Sequence, residues 1–324
     1  MAAGARADLS IDDLVRRARD GSPRAVARLI SLVEDASPQL REVMAALAPH
    51  TGRAWVIGLT GSPGVGKSTT TSMIVSALRA RDLRVGILAV DPSSPFSGGA
   101  LLGDRIRMQD HVLDREVYIR SMASRGHLGG LAWSTPQALR VLDACGCDVV
   151  LVETVGVGQS EVEVARTADT TVVLLAPGMG DGVQAAKAGI LEIGDVFVVN
   201  KADREGADAT VRDIRGMISL GERRQAGDWR PPVVKSVASR SEGVDDVMEA
   251  LDKHWDWLQS SGELGRRRHR RAADEIEALA VTALRERIGD LRSGRGLDDL
   301  AEQVVAGGLD PYTAADRLVA AVAG

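Results

Sequence analysis

The sequence predicts a three-layer α/β/α sandwich on a mostly parallel sheet, flanked by an N-terminal helical arm and a C-terminal helical tail. Three observations predict it. Short apolar runs recur from Trp55 onward, with helical stretches between some of them. A glycine-rich phosphate-loop pattern follows the first run. Both ends of the chain carry helical rather than strand periodicity. The expected boundaries are 1–50 for the arm, 51–260 for the α/β domain and 261–324 for the tail.

The arm is read first. Ser10 stands where a helix N-cap would, with Asp13 three positions on, and Leu14, Ala18, Ala25, Leu29, Ile30 and Leu32 recur at helical spacings. Ser37 and Pro38 open another helix carrying Leu40, Val43, Met44 and Leu47. The runs Trp55–Leu59, Val85–Val90, Val117–Ile119, Asp148–Val152, Thr171–Leu175, Val196–Val199 and Val233–Val234 follow. They are near-continuously apolar rather than alternating, as in strands covered on both faces. Helices are expected over 67–80 and 135–144. Beyond Gly243, segment 244–260 sets Val244, Val247, Leu251, Trp255 and Leu258 on one face, and Gly262 and Gly265 are expected to break it. The run Arg266–Arg271 reads either as a contact for an anionic surface or as a solvated helix start, and the second is the expectation. An amphipathic helix over 272–292 and two short ones within 297–322 complete the tail.

Composition narrows the function classes. The chain has 324 residues, of which 44% are hydrophobic, and carries 40 basic against 45 acidic residues. That balance argues against nucleic acid as a partner. The N-terminus lacks the apolar core of a signal peptide, and no run of 18 apolar residues occurs, so no membrane partner and a cytoplasmic location are expected. Cys145 and Cys147 are too close for an unstrained disulfide, and no neighbouring residues complete a metal-ligand set. They read as two small residues where a helix ends and a strand begins.

The chemistry lies in three motifs. Gly61-Ser62-Pro63-Gly64-Val65-Gly66-Lys67-Ser68, with Thr69 next, fits the phosphate-loop pattern between a strand and a helix. Its glycines let backbone N–H groups curl around phosphate oxygens, the helix start points its positive end at them, and Lys67 reaches the outer phosphates. The Ser68 hydroxyl has a place on magnesium. Asn200-Lys201-Ala202-Asp203 ends a later strand. There the Asp203 carboxylate can accept from N1–H and the 2-amino group of guanine, donors that adenine lacks at that edge, and the Lys201 stem can cover one face of the base. Ser236-Val237-Ala238 follows the last strand, where a backbone N–H can reach guanine O6. Third, Glu153 ends an apolar strand, and Gly156 follows with a backbone N–H able to sense a γ-phosphate. An unpaired carboxylate there would be costly, so Glu153 reads as a magnesium residue. Asp91 and Asp104 lie between the phosphate loop and Glu153. Either could hold magnesium or orient the attacking water, and each could instead cap a turn or helix.

Taken in order, the phosphate loop, Val90-Asp-Pro-Ser-Ser94, Leu102-Gly-Asp-Arg105, Ser124-Arg-Gly126 with Leu128–Leu131, Glu153–Glu161 and Asn200–Asp203 resemble the MeaB/ArgK family, GTPase chaperones of methylmalonyl-CoA mutase. The resemblance spans essentially the whole chain. It implies a P-loop GTPase domain using GTP or GDP and Mg²⁺, with adenosylcobalamin met only through a partner acyl-CoA mutase. It also implies a homodimer formed through the tail. Asp91, Asp104 and Glu153 would surround the magnesium, with Asp104 in a first switch and Glu153–Glu161 in a second. A third mobile segment would be Gly178–Gln184, after which Lys187 would assist hydrolysis. Lys187 can equally be an ordinary exposed helix lysine. Ras-like GTPases mostly carry aspartate in place of Glu153, a departure shared with nickel-type maturation GTPases. The scattered histidines disfavour that alternative, and the absence of a recognisable acceptor base disfavours a protein or small-molecule kinase.

Overall fold

The computed structural model describes residues 10–92, 108–111, 113–124, 134–154, 160–178, 191–220, 227–293 and 296–323. Packing divides the chain into two units, Met1–Glu263 and Leu264–Gly324. The first contains strands β1 (Trp55–Thr60), β2 (Val85–Pro92), β3 (Val117–Ser124), β4 (Val149–Thr154), β5 (Thr170–Leu175), β6 (Val196–Val199) and β7 (Val233–Lys235). They form one sheet in the order β3-β2-β4-β1-β5-β6-β7, and every neighbouring pair is parallel. Its described helices of eight or more residues are α1 (Ile11–Arg19), α2 (Pro23–Glu34), α3 (Leu40–Leu47), α4 (Lys67–Arg79), α5 (Thr135–Ala144), α6 (Ser160–Thr167), α7 (Ala207–Leu220) and α8 (Val244–Ser260).

Strand alternation sorts the apolar residues into two layers. Ile57, Leu59, Ile87, Leu151, Val172 and Val198 share a core with Ile74 and Leu78 of α4 and Val247 and Leu251 of α8. Leu88, Val90, Val150 and Val152 face the other way, against α5 and the arm helices α1 to α3. Val173, Leu175, Phe197 and Val199 meet Val211 and Ile214 of α7. The arm therefore shares a core with the sheet: Leu29, Val33, Val43 and Leu47 are fully buried. Each such side chain contributes about 1.5–3 kcal/mol. Arg120 of β3 adds an ion pair to Glu34 and a hydrogen bond of 3.3 Å to Ser31, both on α2.

Local signals explain most element ends. The Ser10 hydroxyl accepts from Asp13 N–H at 3.2 Å and caps α1. Ser37 acts later than expected, because α3 begins at Leu40 and the Ser37 carbonyl accepts from Leu40 N–H at 2.8 Å. Cys145 caps the end of α5 and Cys147 leads into β4, both buried and unbridged. Burial pushes the Cys145 thiol up to about 12 and that of Cys147 higher still, so neither is a ready thiolate.

At the N-terminal ends of the central strands lies a polar and aromatic network centred on the buried Thr170 and His254. Trp55 opens β1 and donates its indole N–H to Thr170 Oγ1 at 2.9 Å. The same hydroxyl lies 2.9 Å from His254 Nδ1, and His254 Nε2 is 3.3 Å from Asp195 Oδ1. Trp255 stacks on Trp55 at 5.0 Å between centroids, and Trp229 and Trp257 lie 4.8 and 5.7 Å from His254.

The second unit holds α9 (Glu263–Ser293) from its second residue onward, α10 (Gly296–Val305) and α11 (Pro311–Ala323). Gly262, with φ +73°, is the break after α8, whereas Gly265 lies inside α9 and does not end a helix. Its neighbours Leu264 and Arg266–Arg268 are good helix formers, so the helix absorbs one glycine at about 1 kcal/mol. Ile276, Leu279, Val281 and Leu284 of α9, and Tyr312 and Val319 of α11, are exposed. No described helix is long and apolar enough to cross a membrane.

Candidate functional site

In a parallel sheet all strands deliver their C-terminal ends to the same edge, and loops leaving that edge are where α/β folds build sites. Four ends converge here. β1 runs into the loop 61–66, β4 ends at Glu153-Thr154, β6 runs into Asn200 and β7 into Ser236. Because Leu59 pairs in register with Glu153, the loop leaving β1 starts beside that carboxylate.

At the loop end, Gly66 caps α4 in the left-handed region, with φ +99°. A Cβ there would stand 2.4 Å from Asn200 Nδ2, so the close approach as well as the φ requires glycine. Lys67 is buried, and its Nζ donates to the carbonyls of Gly61 at 2.5 Å and Ser62 at 3.2 Å. The ammonium group is thus held over the loop at the positive end of a helix, a setting for anionic oxygens. Ser68 Oγ donates to Glu153 Oε1 at 2.6 Å. Thr71 Oγ1, one helical turn on, lies 2.9 Å from Glu153 Oε2 and 3.0 Å from the Lys67 carbonyl. Glu153 is 1% exposed, and both of its carboxyl oxygens are met by hydroxyls from α4. A buried carboxylate and a serine hydroxyl beside a phosphate loop form a hard, all-oxygen donor set that suits Mg²⁺. Among the described residues no group of three His, Cys, Asp or Glu side chains is assembled. Mg²⁺ does not need one, since it keeps waters and substrate phosphate oxygens in its shell.

At the other end, Asn200 is 3% exposed and ties three segments together. Its Nδ2 donates to the Val65 carbonyl at 2.8 Å, and its Oδ1 accepts from Ala238 N–H at 3.0 Å and Ser236 Oγ at 3.3 Å. Lys201 takes a left-handed backbone, φ +56°, which costs a side-chain-bearing residue about 1–2 kcal/mol. The bond from Ala202 N–H to the Ser236 carbonyl at 3.0 Å and the bond from Lys201 Nζ to the Gly64 carbonyl at 2.5 Å hold it there. The Lys201 stem consequently bridges from the 200–203 segment to the phosphate loop. Asp203 stands next along, its Oδ2 3.3 Å from Arg240 Nη2.

The structure thus brings Gly61–Ser68, Glu153, Asn200, Lys201 and Ser236–Ala238 into one connected site, with Thr69 in the first turn of α4 and Asp203 at the rim. Asp91 has its backbone in β2, paired with Ala123. The Asp91 side chain, and Asp104, Gly156 and Lys187 entirely, lie outside the described residues. Two contributors escaped the sequence reading. Thr71 was detectable as the residue one turn after Lys67 on the same helix face. Arg240 carried no signal, because its partner is 37 residues away.

Comparison with known proteins adds the following. A family model described as methylmalonyl Co-A mutase-associated GTPase MeaB matches residues 26–292. A Pyrococcus abyssi protein whose name records a GTPase and nothing more specific is 46% identical over 317 residues, 97% of each chain. GTPase ArgK of Escherichia coli is 35% identical over 274 residues, 82% of each chain. The mitochondrial methylmalonic aciduria type A homolog of Mus musculus is 34% identical, over 96% of this chain and 79% of that one. A solved LAO/AO transport system kinase superposes with a TM-score of 0.72 at 26% identity, covering 97% of this chain and 98% of the other.

Proposed function

The chain belongs to the MeaB family of methylmalonyl-CoA mutase-associated GTPases, and from that premise we propose that its nucleotide cycle gates the loading of adenosylcobalamin onto an acyl-CoA mutase and protects or reactivates that enzyme. Membership makes the protein a GTPase that takes a guanine nucleotide. The finer assignments of residues and partner are our reading.

In that reading Lys67 neutralises the outer phosphates, the backbone of 61–66 and the N-terminus of α4 cradle them, and Thr69 supports the first turn. Ser68 and Glu153 hold Mg²⁺, joined by Asp91 and Asp104. The cation supplies charge neutralisation on the transferred phosphoryl group. Asp203 reads the N1–H and 2-amino donors of guanine, the Ser236–Ala238 segment lies beside the base, and Asn200 locks the base segment to the phosphate loop. Gly156 reports the γ-phosphate, and Lys187 assists hydrolysis once the partner orders its segment. Hydrolysis without the partner is then slow, because partner binding completes the site.

The observation that carries the switch reading is the bonding of Glu153. Its carboxylate is gripped by Ser68 and Thr71 of the phosphate-loop helix, and the chain runs from it directly into Val155–Glu161. A change of partners at Ser68, from carboxylate to cation, is therefore felt at the root of that segment. In the same reading the exposed apolar residues of α9 and α11 are the homodimer surface.

The test is GTP hydrolysis with and without an adenosylcobalamin-dependent acyl-CoA mutase from the same source, with ATP as control. Stimulation specific to GTP is expected. Hydrolysis indifferent to every such mutase removes the chaperone role and leaves the GTPase standing.

A further inference from the structure

We propose that Arg240 is a positioning residue for base recognition: its guanidinium orients the Asp203 carboxylate so that both oxygens meet the guanine edge. The inference rests on the base-site reading of Asp203 given above. It starts from the loop that carries Arg240. Val237 and Glu242 form an antiparallel bridge, with Val237 N–H donating to the Glu242 carbonyl at 3.0 Å and Glu242 N–H to the Val237 carbonyl at 3.3 Å. Inside that closed loop, Ala238–Arg240 makes one 3₁₀ turn and Ser241 is left-handed, φ +56°. Ala238 is in turn fixed by its N–H bond to Asn200 at 3.0 Å. Arg240 therefore projects from a braced turn rather than a free loop.

Its guanidinium meets two carboxylates, Asp203 Oδ2 at 3.3 Å from Nη2 and Glu242 Oε1 at 3.7 Å from Nη1. Glu242 belongs to the same braced turn, so Arg240 is steadied from its own loop while it reaches across to the 200–203 segment. Asp203 needs that help. Its side chain is 36% exposed, Arg240 is the side chain that bonds it among the described residues, and the terminal torsion of an aspartate is broad and roughly two-fold. Guanine demands one acceptor for N1–H and a second for the 2-amino group in a common plane. A single acceptor serves a base that lacks the 2-amino group. Orientation of the carboxylate thus bears on discrimination more than on bare affinity. A planar fork suits this task, and the point charge of lysine does not.

The experiment measures GDP and IDP affinities by calorimetry for the full chain and for Arg240→Ala, Arg240→Lys and Asp203→Asn. Inosine lacks the 2-amino group, so the GDP/IDP ratio isolates the second hydrogen bond. An exposed pair of this kind supports a loss of about three- to fivefold in GDP affinity for Arg240→Ala. IDP is expected to change by less than about twofold, so the ratio falls. Arg240→Lys is expected to recover less than half of that fall. Equal weakening of GDP and IDP would assign Arg240 to general loop support and overturn the proposal, as would no change in either. If Asp203→Asn abolishes discrimination while Arg240→Ala retains it, only the role of Arg240 falls. If Asp203→Asn keeps wild-type discrimination, the base-site reading falls and takes this inference with it.

Discussion

Replacing Gly66 by alanine probes the joint on which the whole site depends. Two costs add. The residue has φ +99°, where a Cβ costs about 1–2 kcal/mol. The new Cβ would also stand 2.4 Å from Asn200 Nδ2, so Asn200 has to move. Moving it strains or breaks the bond to the Val65 carbonyl and the two bonds accepted from Ala238 and Ser236. Leaving a side chain that is 3% exposed with unmet donors and acceptors costs about 1–3 kcal/mol. The sum is about 2–5 kcal/mol. Gly64→Ala is the control: its φ is +79°, but nothing lies within 4 Å of the added Cβ, so only the backbone cost applies. The difference between the two variants therefore isolates Asn200 at about 1–3 kcal/mol. Thermal unfolding and GDP calorimetry measure it, since each kcal/mol moves Tm by about 2–4 °C in a domain of this size. If Gly66→Ala melts with Gly64→Ala and binds GDP as tightly, Asn200 does not couple the base segment to the phosphate loop.

Two further outcomes are expected. Asp114 accepts from Arg79 Nε of α4 at 2.8 Å, and that hydrogen bond, followed by one from Glu116 N–H, holds its carboxyl below the ordinary value of 3.8. A depressed carboxyl stabilises the fold fully above its unfolded pKa and loses that contribution as pH falls through the folded one. Asp114→Asn should therefore lower Tm at pH 7 and match the parent once acid has protonated Asp114, and a Tm gap unchanged across an acid titration would contradict the assignment. Truncation after Ser261 should give a monomer by light scattering, because it removes the exposed apolar faces of α9 and α11; a surviving dimer places the interface elsewhere.

Much of this site was legible because its chemistry needs contiguous residues. The loop proposed to wrap phosphates is a local run of glycines ending in Gly66-Lys67-Ser68, and the segment proposed to read the base, Asn200 to Asp203, is a unit at a strand end. The parallel sheet was legible for a similar reason, since strands covered on both faces carry uninterrupted apolar runs. Contacts made across the fold left no such trace. Glu153 was marked as costly if unpaired, yet that Thr71 shares it with Ser68 follows only from the registry of α4 on β4. The pairing of Asp203 with Arg240 depends on how one turn is braced. Gly265 misled for the opposite reason, because a breaker's local preference was outweighed by the helix formers beside it.

The cluster around His254 gives the protein a built-in optical reporter. Trp55, Trp229, Trp255 and Trp257 account for four of the chain's five tryptophans and sit within transfer distance of one another, at centroid separations such as 5.0 and 5.8 Å. Their shared emission reports whether α8 is seated on the sheet, at the end of the strands away from the 61–66 loop. The fifth, Trp133, falls in sequence just after the Gly129-Gly130 pair and just before α5. With the Trp133→Phe variant as reference, emission from the cluster follows unfolding, while the difference between variant and parent isolates the signal of Trp133 without any added label.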